Sequence, residues 1–297
     1  MELRVLRYFL EVAREENITA AAEALHITQP TLSKQLMDLE DEIGKKLFIR
    51  GKRRITLTED GILLRKRASE IIELVEKTEF ELKKSDEIIV GDVYIGSAET
   101  DAMKDIAKIC TQLQKKYPHI HYHLFSGNSE DVIEKLDKGL IDFGILFEPS
   151  DIKKYNYIKL PAYNIWGLLM RKDSPLATLN DITPDALLNI PLICSKQALD
   201  NNELAGWFGH NIEKLNIVAT YNLIYNAAFF VEEGFGSALT LDKLVPMSEE
   251  NNLCFKPLTP TLKTNLVMVW KKYQVFSKAS QTFLNELQKE LQNKHFT

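Results

Sequence analysis

Ile18-Thr-Ala-Ala-Ala-Glu-Ala-Leu25, His26-Ile-Thr-Gln-Pro-Thr-Leu-Ser-Lys-Gln-Leu36 and Lys45-Lys-Leu-Phe-Ile-Arg-Gly-Lys-Arg-Arg54 decide how the amino-terminal end of this 297-residue chain folds. The alanine-rich segment is a short helix with small side chains, against which another helix can pack closely. Before it, Leu3, Leu6, Phe9, Leu10 and Ala13 recur at helical spacing, and Asn17-Ile-Thr19 breaks that first helix, with Thr19 placed to cap the second. His26-Ile-Thr28 forms a turn. Thr28 caps a third helix and Pro30 fits its first turn, where a missing N–H costs nothing. Leu47-Phe-Ile49 and Ile55-Thr-Leu57 then read as two short strands around a turn with Gly51 and a cationic tip. Two helices meeting at a turn, followed by a basic hairpin, make a winged helix-turn-helix, whose second helix enters the major groove of DNA.

The third helix turns Leu32, Leu36 and Leu39 inward and leaves Gln29, Thr31, Ser33, Lys34 and Gln35 near its outer face. Gln and Ser can hydrogen-bond base edges, and the Pro30 ring and Thr31 methyl can touch thymine methyls. Lys34 reaches toward a phosphate, and the helix amino terminus favours an anion. The acidic second half, Asp38 to Glu42, is expected to point away from the duplex. Arg50, Lys52, Arg53 and Arg54 at the hairpin tip are placed to lie in or beside the minor groove.

The whole chain carries a formal charge of -5, so its positive charge is local: Lys45, Lys46, Arg50, Lys52, Arg53 and Arg54 cluster without an acid between them. The acidic remainder discourages non-specific attachment to phosphate. At 45% hydrophobic and 27% charged the composition is that of a globular protein of about two domains. There is neither an apolar run long enough to span a bilayer nor an evident signal peptide, so a cytoplasmic location is expected. Cys110, Cys194 and Cys254 lie far apart, which argues against a disulfide framework or a zinc knuckle.

Phe9-Leu-x-Val-Ala13, Thr19-Ala-Ala-Ala-x-Ala-Leu25, Thr28-Gln-Pro-Thr-Leu-Ser33, Leu39-Glu, Gly44-x-x-Leu-Phe-x-Arg50 and Leu57-Thr-x-x-Gly61 resemble the amino-terminal signature of LysR-type transcriptional regulators. The match runs over almost every position from 3 to 61. The resemblance implies that Gln29, Pro30 and Ser33 lie at base edges, while Thr31, Lys34 and Arg50 lie at the backbone.

From Thr58 a long helical stretch follows without Pro or an internal Gly beyond Gly61. Leu64, Ala68, Ile71, Val75, Thr78 and Leu82 alternate steps of four and three, the seam of a coiled coil, which points to the same helix of a second subunit as partner. The resemblance implies an antiparallel dimer. A dimer should read a pseudo-palindrome with half-sites about one helical turn, or a small multiple, apart.

After Ser85-Asp-Glu the pattern changes. Strands at Ile88–Ile95, Ile120–Phe125 and Ile141–Leu146 alternate with helix faces at Met103–Tyr117 and Val132–Leu136, implying a parallel sheet with covering helices. A second series has strands at Asn164–Met170, Pro191–Cys194, Ile217–Tyr221, Ser237–Leu241 and Leu262–Trp270. A final helix carries Phe276, Phe283 and Leu287. Lys116-Tyr-Pro118, Leu136-x-x-Gly-x-x-Asp142 and Glu233-Gly-x-Gly236 resemble the LysR effector-binding domain, which implies two α/β lobes of the periplasmic-binding-protein type. The crossings between lobes are expected near Leu160–Tyr163 and Thr264–Val267. The expected organisation is α/β overall. Residues 1–58 form the winged domain, 59–87 a dimerising linker helix and 88–297 the effector domain. Lobe I is about 88–161 with 267–297, and lobe II about 162–266.

A ligand should sit between lobes at the carboxyl ends of strands. Ser97, Glu99, Thr100, Asn128, Ser129, Phe147, Cys194 and Ser195 are placed to face it. Hydroxyls and free N–H groups at helix starts would form a small anion pocket, with Thr100 and Ser129 as caps; Glu99 would repel a carboxylate or pair with an amino group. His119, His121 and His123 alternate along one strand, but same-face neighbours nearly 7 Å apart do not close easily on one ion. Gly234-Phe-Gly236 begins a dinucleotide fingerprint that fails at Leu239. Cys110 and Cys194 form a redox pair only if exposed, and Cys110 lies on an apolar helix face. No catalytic motif, metal or cofactor is implied. The expected partners are promoter DNA, a small effector, a second copy of the chain (as dimer and then tetramer through the effector domains) and RNA polymerase. The competing expectation is a cytosolic solute-binding protein whose amino-terminal module only dimerises.

Overall fold

The computed structural model describes residues 1–51, 54–82, 89–148, 152–200, 204–248 and 251–294. The chain divides into two compact units, Met1–Ser85 and Asp86–Thr297.

In the first unit α1 (Leu3–Glu15) buries Val5, Leu6, Phe9 and Val12, a face slightly rotated from the expected one, with Leu3 exposed. α2 (Ile18–Ala24) is capped by Asn17 rather than Thr19: the Asn17 Oδ1 accepts from the amides of Thr19 (2.8 Å) and Ala20 (3.2 Å). Asn17 keeps an extended backbone, so its short side chain reaches the free amides, while Thr19 already lies inside the first turn. α3 (Gln29–Ile43) starts from Thr28 with Pro30 in its first turn and stops at Gly44, whose φ of 73° suits a residue without Cβ. The wing pairs β1 (Phe48–Arg50) with β2 (Ile55–Leu57) in antiparallel register.

α4 (Glu59–Leu82) follows. The Thr58 hydroxyl accepts from the Gly61 amide (2.9 Å) and donates to the Lys46 carbonyl (2.7 Å), locking the helix start to the wing. A Cβ on Gly61 would collide with the Leu47 carbonyl, so the close approach requires glycine here. The expected seam divides. Ala68 is fully buried in the core with Phe9 and Leu36, and Leu64 and Ile72 pack against the same core. Ala68 and Leu64 are therefore used by their own unit. The large apolar side chains left exposed on α4 among the described residues are Ile62, Leu63, Ile71 and Leu74, and the side chain of Leu82 lies outside the described residues.

The second unit opens with β3 (Gly91–Ser97), α5 (Met103–Lys116), β4 (Ile120–Ser126), α6 (Ser129–Asp137) and β5 (Phe143–Phe147). β6 (Tyr155–Arg171) then spans both lobes. β7 (Leu192–Ser195), α7 (Lys196–Asp200), α8 (Ala205–Phe208), β8 (Ile217–Tyr221), α9 (Ile224–Glu232), β9 (Ser237–Leu241) and β10 (Leu253–Pro257) build the second lobe. β11 (Lys263–Lys271) and α10 (Lys278–Lys294) return to the first. The strand order is β4-β3-β5-β11-β6-β9-β7-β8, with β10 on β6. The sheet is mixed rather than parallel. β3 runs parallel to β4 and β5, but β11 is antiparallel to β5 and β6, and β6 to β9 and β10. The reversals follow from the two strands that cross between lobes, since each enters a lobe opposite to the strands already there.

β6 exchanges partners from β11 (Ile165 opposite Lys263) to β9 (Trp166 opposite Leu241). α5 and α10 cover one face of the lobe I sheet through Ile106, Ile109, Leu113, Phe283 and Leu287, and α6 covers the other through Val132 and Leu136. α9 covers lobe II through Ile224, Ala227, Ala228 and Val231. β10 and the longer β6, from Tyr155, lie beyond the strands expected from the sequence.

Candidate functional site

The helix pair of the first unit is held at a defined angle by its turn. His26 adopts a left-handed φ of 54°, which aims the Ile27 amide back at the Ala22 carbonyl (3.0 Å). Thr28 then caps α3: its Oγ1 accepts from the Thr31 amide (3.4 Å) and pairs with the Thr31 hydroxyl (2.8 Å). Gln29, Pro30, Thr31 and Lys34 are exposed, Ser33 and Gln35 half-buried, and Thr19 is exposed on α2. No acid occupies the first turn of α3, so no side chain there offsets its partial positive charge.

Within the acidic second half of α3, Glu40 stands apart. It is buried, and its carboxylate accepts from the amides of Leu47 (2.8 Å) and Phe48 (3.2 Å) and from Lys46 Nζ (2.9 Å). Burial alone would raise its pKa; the Lys46 and amide hydrogen bonds outweigh that and hold the carboxyl below its ordinary value. Lys46 thus serves the wing's attachment rather than the basic cluster. The wing is also fixed to the end of α1, where the Ile55 amide donates to the Glu16 carbonyl (2.9 Å) and Arg54 Nε lies 3.3 Å from a Glu16 carboxylate oxygen. Lys52 and Arg53, and the side chain of Arg50, lie outside the described residues.

In the second unit a cleft opens at the carboxyl ends of the strands. Glu99 follows β3, Asn128 and Ser129 follow β4, and Phe147 ends β5. Ser195 ends β7, Tyr221 ends β8 and Leu241 ends β9; all of these line the cleft. Two hydrogen bonds cross it. The Ser129 amide donates to Gln197 Oε1 (2.9 Å), and the Ile224 amide donates to Glu99 Oε2 (2.8 Å). α6 is capped by Asn128 in a reciprocal box with Asp131, rather than by Ser129. At the crossing, fully buried Asn164 accepts from the Thr100 hydroxyl (3.0 Å) and donates to Asp242 Oδ1 (2.9 Å).

Of the residues expected at the cleft, Glu99, Asn128, Ser129, Phe147 and Ser195 line it. Ser97, Thr100 and Cys194 do not. Ser97 donates to the Ala98 carbonyl, Thr100 serves the crossing network, and Cys194 is fully buried in the lobe II core. Trp166, Gln197, Tyr221, Ile224 and Thr240 line the cleft unforeseen. Burial pushes the thiols of Cys110 and Cys194 up to about 12, and they pack in separate lobes, which removes the redox pair. His121 and His123 both approach Asp92 Oδ1 (3.7 and 3.2 Å), and His119 precedes the strand. Among the described residues no group of three His, Cys, Asp or Glu is arranged for a metal ion, and no helix is long and apolar enough to cross a membrane.

Residues 3–62 match the bacterial regulatory helix-turn-helix protein model of the lysR family, and residues 89–292 match the LysR substrate binding domain. The chain belongs to the LysR family. As a LysR-family member it is a DNA-binding transcriptional regulator with an effector-binding domain, not an enzyme, and the solute-binding alternative is overturned by the helix-turn-helix match. It is 28% identical to the HTH-type transcriptional regulator BsdA of Bacillus subtilis (strain 168), covering 96% of this chain and 99% of that one. It is 29% identical to the Hca operon transcriptional activator HcaR of Escherichia coli (strain K12), covering 92% of each. The LysR fold is shared with full-length CbnR complexed with its target DNA, at a TM-score of 0.75 and 20% identity over 97% of this chain and 99% of that chain.

Proposed function

We propose that this regulator reads a pseudo-palindromic operator as a homodimer and that a small molecule held between its two lobes sets how it reads. Gln29, Pro30 and Ser33 contact base edges; Thr19, Thr28, Thr31, Lys34, Gln35 and the wing residues Arg50 and Lys52 to Arg54 position the phosphate backbone. The exposed first turn of α3, free of acids and capped from below, supports this assignment. Dimerisation uses α4 through the exposed stripe Leu63, Ile71 and Leu74, joined by Val75. That stripe keeps Ile71 and Val75 of the expected seam and replaces Leu64 and Ala68, which are taken by the unit's own core. Tetramers then form through the effector domains. The work is done in the cytoplasm, with RNA polymerase as the final partner.

The single observation that carries effector control is the pair of hydrogen bonds across the cleft, Ser129 to Gln197 and Ile224 to Glu99. A ligand entering there must break or bridge them, which shifts lobe closure and couples the two sites. Footprinting on the DNA upstream of the protein's own gene tests this reading. The wild type should protect two half-sites on one face of the duplex. Gln197→Ala, which removes one latch, should change their relative protection. A single asymmetric half-site, or a footprint indifferent to Gln197→Ala, would contradict it.

A further inference from the structure

The charge of the cleft narrows what it can hold. Among the described lining residues Glu99 is the one charged side chain; no Lys, Arg or His faces the space. Glu99 is half-buried, one of its oxygens accepts from the Ile224 amide, and no other partner for the carboxylate is found among the described residues. Burial raises its pKa, so a cation beside it would recover what desolvation costs. The two helix starts that would attract an anion are already satisfied from within: the start of α9 by Glu99 and that of α6 by Gln197. Lys104 and Lys243 line a neighbouring hollow, and Lys243 lies between Asp101 (3.5 Å) and Asp242 (3.6 Å).

A second observation points to a ligand independently. Ser129 is 5% exposed and Thr240 2%, both line the cleft, and both hydroxyls are buried without a hydrogen-bond partner. A buried hydroxyl left unpaired is costly, so these groups are suited to a polar visitor. Phe147 and Trp166 supply the apolar wall.

We propose that the cleft takes a small primary amine with an apolar body, its ammonium against the open side of Glu99, and disfavours ligands whose only charge is a carboxylate. This rests on the reading of the cleft as the effector site. The hydroxyls of Ser129 and Thr240 accept from the ammonium or donate to a second polar group of the same ligand. The apolar body lies on Phe147 and Trp166, where an aromatic face also favours a nearby cation.

The test is calorimetry on the full chain with two matched sets: isopentylamine, leucine and 4-methylvalerate, then phenethylamine, phenylalanine and 3-phenylpropionate. Trp166 fluorescence serves as the position readout, with Trp166→Phe as its control. Amine-bearing members should bind at least tenfold tighter than the carboxylates, and the Trp166 signal should respond. Glu99→Gln keeps an acceptor for the Ile224 amide; it should weaken the amines at least tenfold and relieve the exclusion of the carboxylates. Carboxylates binding tightest with a Trp166 response would overturn the amine preference and leave the cleft as effector site. Binding without a Trp166 response and indifferent to Glu99→Gln would overturn both. No binding by any amine would overturn the proposed ligand class.

Discussion

Glu40→Ala should loosen the wing while leaving the helices of the DNA-reading unit assembled. The wild-type carboxylate satisfies the Leu47 amide, in a residue only 1% exposed, and the half-buried Phe48 amide. Leaving a buried amide unpaired costs about 1–3 kcal/mol. The Phe48 amide can rehydrate and falls at the lower end of that range. The Lys46 ammonium is largely exposed, so its ion pair is screened and adds little. The sum is about 2–4 kcal/mol against opening of residues 47–57. Glu40→Gln keeps the acceptor and loses only the charge, so it should cost about 1 kcal/mol or less. The pH dependence has a definite sign. The folded carboxyl titrates below its ordinary value of 4.5, so its contribution is complete above that pH and disappears as pH falls through the lowered value. Glu40→Ala should lack this acid-side loss. Hydrogen exchange of the 47–57 amides in the full chain reads the effect directly. Protection in Glu40→Ala equal to wild type, or Glu40→Gln as damaging as Glu40→Ala, would refute the reasoning.

Other outcomes follow from the same geometry. Lys34→Ala should weaken binding to every DNA sequence and reduce the slope of log affinity against log salt by about one, measured by fluorescence anisotropy. Leu74→Glu places a charge in the exposed stripe of α4 and should shift the sedimentation profile toward smaller species without altering the melting of the winged unit. His26→Gly relieves a left-handed φ of 54° and should stabilise the winged unit by about 1 kcal/mol, read by chemical denaturation; a destabilisation would show that the imidazole contributes something else.

The reading helix was legible in the sequence because its signals are local: a capping Thr28, Pro30 in the first turn, and Leu32, Leu36 and Leu39 at helical spacing. The same local logic misplaced the start of α2, since Asn17 and Thr19 are both competent caps and only the backbone path decides between them. The burial of Glu40 is not legible in the helix pattern, because its partners, the Leu47 and Phe48 amides, come from a hairpin whose docking a helical wheel does not contain. On α4 the apolar spacing alone does not separate residues that face a partner from those the unit's own core takes, and α1 claims Ala68 for that core. In the effector unit most strands announced themselves by β-branched runs. The cleft residues of lobe II did not, because Gln197, Ile224 and Thr240 come from three separate segments that meet only when β7 pairs with both β8 and β9. Cys194 and Ser195 illustrate the resulting limit: adjacent at the end of β7, one points into the core and the other lines the cleft.

The central claim is that the first turn of α3 selects the DNA sequence. Its most direct test is the affinity of Gln29→Ala for the upstream operator and for a scrambled duplex, across a range of salt. A lost base contact of about 1–3 kcal/mol should reduce the preference for the operator by roughly 5- to 100-fold and leave the salt slope unchanged. An unchanged preference, or a loss shared equally by both duplexes, would contradict the account.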